Sequence, residues 1–108
     1  NKYMVNQYGL PEQELEKIRA RDKTCVYCHK VMVKTSVKNQ RRDWATIEHL
    51  NHLPPWNNPK TVAICCGSCN SSRGQKTLEG WFESKYCMER NINVNTVANP
   101  VKIFLRNI

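Results

Sequence analysis

The chain has 108 residues, six cysteines and a formal net charge of +8. That length allows one domain with a small core, near the size at which a metal or cross-link adds needed stability. No apolar run approaches a membrane span and no segment resembles a signal peptide, so neither a membrane protein nor a secreted disulfide scaffold is expected. A pI near 9.4 points instead to a polyanionic partner, nucleic acid first.

Residues 1–9 read as an irregular arm that starts at Asn1 rather than Met, as a piece of a longer protein would. LPEQELEKIRARDK predicts a helix, with Pro11 near its start, acids in the first turn and bases in the last. Leu15 and Ile18 supply its apolar stripe, and Asp22 and Lys23 close it. After Cys28 comes HKVMVKTSVKNQRR, which has five lysines and arginines and no acid. WATIEHL alternates as a strand, with Trp44, Thr46 and Glu48 on one side and Ala45, Ile47 and His49 on the other. NHLPPWNNPK is a loop by its proline and asparagine content, and TVAIC a second strand. CNSSRG suits a short helical turn. TLEGWFESKYCMERN predicts one helix, capped by Thr77, with Leu78, Trp81 and Phe82 inward. Asn99-Pro100 opens a last helix through Ile103, Phe104 and Leu105. The expected fold is a small α+β single domain over 1–108, with its core at about 10–85 and a helical extension at 86–108.

The cysteines fall into two C-x-x-C pairs, Cys25/Cys28 and Cys66/Cys69, with Cys65 and Cys87 left over. Two such pairs complete a four-thiolate shell for one structural zinc ion, the alternative being two disulfides. Residues 29–65 exceed the span within a simple zinc finger, so something folded must lie between the pairs. Cys65 breaks the spacing and, on a strand, faces away from Cys66. Both spare cysteines read as small buried apolar residues.

RDKTCVYC, then TIEHL, then AICCGSCNSSRG resembles the zinc-containing branch of the HNH nucleases, of the ββα-metal fold. The resemblance covers roughly residues 10 to 85 and matches in the order and spacing of its parts. It implies a DNA endonuclease that leaves a 5′-phosphate and a 3′-hydroxyl. It makes His49 the general base, and Glu48 and Asn70 the ligands of a catalytic Mg²⁺ or Mn²⁺ ion. Arg73, where the family usually has a base, would contact phosphate or product charge. His52 would reach the phosphate or the metal as an auxiliary group. The family's middle asparagine, which braces the loop holding the histidine, is replaced by Thr61, with Asn57 or Asn58 able to substitute from within the loop.

Neighbours on an ideal strand point to opposite faces, so Glu48 and His49 share a site only if the strand ends or bends there. The expected phosphate-contacting residues are Lys30, Lys34, Lys38, Arg41 and Arg42, with Arg73 and Lys76 beyond them. Double-stranded DNA is the expected partner, in a bacterial or phage-encoded cytoplasmic protein; an oligomer is possible. The competing readings are a catalytically silent zinc module that binds DNA or RNA and a zinc-held interaction domain. Neither gives a reason for Glu48, His49 and Asn70 to occur together.

Overall fold

A computed structural model describes residues 8–108 of the chain; of the predicted arm, residues 1–7 lie outside the described part. The first helix, α1 (Glu12–Arg21), follows Pro11 and buries Leu15 and Ile18. Its end is fastened by Asp22, whose buried carboxylate accepts the Ile64 N–H at 3.1 Å and two donors of Arg21 at 2.7 and 2.8 Å. A carboxylate has no donor of its own, so it can close both a helix end and a strand edge.

Strands β1 (Ala45–His49) and β2 (Val62–Cys66) pair antiparallel, with Ala45 opposite Cys66, Glu48 opposite Ala63 and His49 opposite Val62. Val62 and Ile64 pack with Leu10, Leu15 and Ile18, against Ala45 and Ile47. On the other face, Ala63 and Cys65 join Tyr27, Leu78 and Trp81. Burial on both faces is why VAICC is an uninterrupted apolar run. The strand begins at Val62 rather than Thr61, because Thr61 closes a 3₁₀ turn over Pro59–Thr61.

Helix α2 (Gly67–Arg73) leaves β2 directly. Its first residue must be glycine, since a Cβ there would lie 2.1 Å from the carbonyl oxygen of Arg41. The end of the basic segment, a 3₁₀ turn over Arg41–Asp43, therefore rests on the start of α2.

The helix predicted over 77–91 is two helices, α3 (Leu78–Phe82) and α4 (Lys85–Arg90). Thr77 caps the first through the Gly80 N–H, as expected. Ser84 breaks the run by capping the second, its hydroxyl accepting the Cys87 N–H at 3.3 Å. A mid-helix serine competes for backbone groups in this way. The break buries Cys87 and brings Tyr86 beside the cysteine pairs.

Helix α5 (Asn99–Arg106) starts where Asn99-Pro100 predicted. The segment from 86 onward is more than an extension. Cys87, Ile92, Val97 and Val101 share the core of the first cysteine knuckle, and the Ala98 N–H donates to the Val26 carbonyl at 2.8 Å. The result is a small α+β domain with a two-stranded sheet. Among the described residues, no helix is long and apolar enough to cross a membrane.

Candidate metal centre and adjoining polar site

The first knuckle turns tightly after α1. The Cys25 N–H donates to the Lys30 carbonyl and the His29 N–H to the Cys25 carbonyl, both at 2.9 Å, with His29 in the left-handed region at φ 67°. His29 itself points to the Thr96 carbonyl and belongs to the knuckle. The second knuckle is the β2–α2 junction, so Cys66 ends the strand and Cys69 lies in the first helical turn.

The four ligand sulfurs all lie within 4.8 Å of one another. Cys28 and Cys66 are 3.8 Å apart, the edge of a tetrahedron built on metal–sulfur bonds of about 2.3 Å. The Cys66 N–H points at the Cys25 sulfur (3.3 Å) and the Cys69 N–H at the Cys66 sulfur (3.4 Å). Such donors suit thiolates. Hydrogen bonds from Cys25, Cys66 and Cys69 hold Cys28 far below the ordinary thiol range, while the bonds Cys66 and Cys69 make to the same neighbours push those two thiols up, so a zinc ion taking all four sulfurs would displace protons from them. The cluster can hold one zinc ion. All six cysteines are free, and burial pushes the spare thiols Cys65 and Cys87 up, so they remain neutral packing groups.

Glu48 lies on the α2 side of β1 and is 1% exposed. One carboxylate oxygen, Oε2, accepts both the Tyr27 hydroxyl at 2.6 Å and Arg73 Nη1 at 3.0 Å. Arg73 is 2% exposed and also donates to the carbonyls of His49 (3.3 Å), Leu50 (2.8 Å) and Lys76 (2.9 Å). The expected phosphate contact by Arg73 is therefore corrected. Its guanidinium is committed inside the protein, neutralising Glu48 and tying α2 to the end of β1. Tyr27 is a site residue that the motif reading passed over as an x of C-x-x-C. Burial, then the Glu48 charge, raises its pKa well above the ordinary value.

The strand runs straight through His49, so the bend needed to bring its side chain beside Glu48 does not occur there. His49 faces the loop, its Nε2 at 2.9 Å from the Trp56 carbonyl oxygen. A carbonyl only accepts, so Nε2 is the donor, and the tautomer this selects in a neutral ring has its lone pair on Nδ1. Tyr8 and Trp56 flank the imidazole edge-on, with ring centroids at 4.5 and 5.1 Å.

The chain turns back immediately afterwards. His52, at φ 52°, donates its N–H to the His49 carbonyl and swings its ring toward Glu48. Its Nε2 is 3.9 Å from Oε1, buried, and without a hydrogen-bond partner. That separation is too long for a direct hydrogen bond. Burial, and next the Arg73 charge, lowers the His52 pKa, which favours neutral imidazole.

Asn70 projects from α2 onto β1 one pleat earlier. Its Nδ2 donates to Thr46 Oγ1 at 3.0 Å and to the Ile47 carbonyl at 3.4 Å. Thr61 and Asn58 close the far end of the loop. The Thr61 hydroxyl donates to the Asn58 carbonyl, Asn58 Oδ1 accepts the Lys60 N–H, and the Thr61 carbonyl accepts the Leu50 N–H at 2.8 Å.

Lys34, Lys38, Arg41, Arg42 and Lys76 are exposed. Lys30 is not an uncompensated cation, because Asp43, just past the run, pairs with it at 2.9 Å. Arg42 and Lys30 line a concavity of about 450 Å³ beside the cysteine cluster, together with Ser68, Tyr86 and Arg90. Arg90 lay outside the basic run and becomes its neighbour only because α4 folds back, its guanidinium 3.7 Å over the Tyr86 ring. No family model, curated protein or solved structure matches the chain.

Proposed function

We propose that the chain is a zinc-stabilised HNH-type endonuclease that hydrolyses DNA phosphodiester bonds with the help of a divalent ion. The order β1, β2, α2, with a cysteine knuckle before the first strand and another after the second, supports a ββα-metal arrangement. The observation that carries the reading is His49. A solvated strand histidine has no need of a fixed tautomer, whereas this one is oriented by its Nε2 bond to the Trp56 carbonyl, the arrangement a general base acting through Nδ1 would use. Nδ1 would take a proton from water as the water oxygen bonds to phosphorus and the P–O3′ bond breaks, the departing 3′-oxygen taking its proton from solvent. The products are a 5′-phosphate and a 3′-hydroxyl. Exposed Lys34, Lys38, Arg41 and Arg42 hold the flanking phosphates.

The donors for a divalent ion fit in part. Oε2 of Glu48 is taken by Tyr27 and Arg73, which leaves Oε1, and Asn70 is anchored to β1 through Nδ2, so only its amide oxygen could serve the ion. The orphaned His52 nitrogen facing Oε1 marks the place where a bound group is wanted. When bound, the ion would stabilise charge on the phosphate and the departing oxygen. Tyr27 and Arg73 fix the carboxylate so that it does not rotate away. One observation favours the silent DNA- or RNA-binding module instead: Arg73 already neutralises Glu48.

The deciding experiment incubates supercoiled plasmid with wild type and His49→Ala, with and without Mg²⁺ or Mn²⁺. Metal-dependent cutting that the variant lacks is the expected result. DNA binding without cutting under either metal would leave the silent module standing, and equal cutting by the variant would remove His49 as the base.

A further inference from the structure

We infer that His52 Nε2 is itself a ligand of the ion at Glu48, and that the site consequently takes Mn²⁺ or a similar nitrogen-accepting ion in preference to Mg²⁺. The inference deepens the endonuclease reading and rests on its divalent ion, but it starts from a different observation. Among the described residues, His52 Nε2 is the one buried side-chain nitrogen or oxygen without a hydrogen-bond partner. A buried nitrogen left unpaired is unfavourable, so the arrangement favours a bound group between Nε2 and Glu48.

The geometry narrows what that is. Oε1 and Nε2 are 3.9 Å apart. Two metal–ligand bonds of about 2.1 Å each can just reach across this gap, and a small inward turn of the His52 ring brings the two atoms to the roughly 3.0–3.4 Å kept by neighbouring ligands of one ion. The carboxylate and the backbone that carries the imidazole are both held. Glu48 is pinned through Oε2, and the His52 backbone is set by its N–H bond to His49 and by Asn51 Oδ1, which accepts the Leu53 N–H at 3.2 Å. A left-handed φ of 52° at a non-glycine residue is strained and persists where surrounding bonds determine it. That backbone conformation is the one that returns the ring to the strand end.

The donor set decides the ion. Mg²⁺ favours oxygen ligands, whereas imidazole suits the later divalent metals, and Mn²⁺ accepts a mixed oxygen and nitrogen shell. Arg73 on the same carboxylate lowers the attraction for any cation, so binding to the free protein should be weak and should tighten when phosphates add negative charge.

The test is Mn²⁺ titration of the zinc-loaded protein, reading free Mn²⁺ by electron paramagnetic resonance, with and without a short DNA duplex. His52→Ala should weaken binding about ten-fold or more, and His52→Gln, with an oxygen donor, should narrow the preference for Mn²⁺ over Mg²⁺. In wild type, Mn²⁺ should broaden the His52 ring signals in the NMR spectrum before those of His29. Unchanged Mn²⁺ affinity in a folded His52→Ala protein would overturn the inference. So would an unbroadened His52 ring, a result that needs no variant and points to a bridging water instead. If His52-dependent Mn²⁺ binding is found but plasmid is never cut, the ion site stands and the endonuclease reading falls.

Discussion

Replacing Arg73 by methionine separates its two possible jobs. Arg73→Met keeps an unbranched apolar stem but removes the guanidinium partner of Glu48, whose own exposure is 1%. Breaking a buried ion pair by deleting one member costs about 3–5 kcal/mol, because the other charge stays behind without compensation. The carbonyls of His49, Leu50 and Lys76 lose their donor at the same time. Tyr27 still serves Oε2, which keeps the loss toward the lower end of that range. A domain of this size has about 5–15 kcal/mol in all, so about 3 kcal/mol should lower the Tm by roughly 10–20 °C. The assay is thermal unfolding by circular dichroism with zinc saturating, so that the metal contributes equally to every variant. Glu48→Gln and the double variant complete the cycle, which should show a coupling above about 1 kcal/mol. A fall in Tm below about 3 °C would refute the reasoning and return Arg73 to the phosphate-contacting surface.

Stripping zinc with a chelator should abolish cooperative unfolding, and Cys28→Ser should drop metal content well below one ion per chain. Recovery of disulfide-linked cysteines from the native protein would contradict this. Tyr27 predicts the behaviour at high pH. Its folded pKa is raised above the unfolded value near 10.0, so its contribution is complete below that pH and declines as the unfolded hydroxyl ionises. Tyr27→Phe should therefore lower stability at neutral pH yet flatten the loss above pH 10, and an equally steep loss in the variant would contradict the assignment. Gly67→Ala should cost about 1–3 kcal/mol by urea unfolding, since its methyl group meets the Arg41 carbonyl oxygen at 2.1 Å; a neutral substitution would show that the 3₁₀ turn moves away freely.

Where local pattern carries the information, the chain reads directly. Acid-to-base polarity and Leu15/Ile18 spacing give α1, alternation gives β1, and Asn99-Pro100 gives the start of α5. C-x-x-C spacing anticipates the four-sulfur cluster because a knuckle is a local object. The single helix over 77–91 fails because Ser84 reads equally well inside a helix or as a cap, and the burial of Cys87 favours the cap.

The polar site divides along the same line. Residue types and their order put a carboxylate and an imidazole at the end of β1 and an amide on the adjoining helix α2. They do not determine what each one faces. Strand alternation sends Glu48 and His49 to opposite sides, and only the tertiary fold supplies Tyr27 and Arg73 to one oxygen of Glu48. The turn at His52 depends likewise on bonds across the loop. Thiolate spacing is a property of a few consecutive residues. Partnering of a buried charge is a property of everything that excludes water around it, and that is set by α2, the first knuckle and the loop packing together.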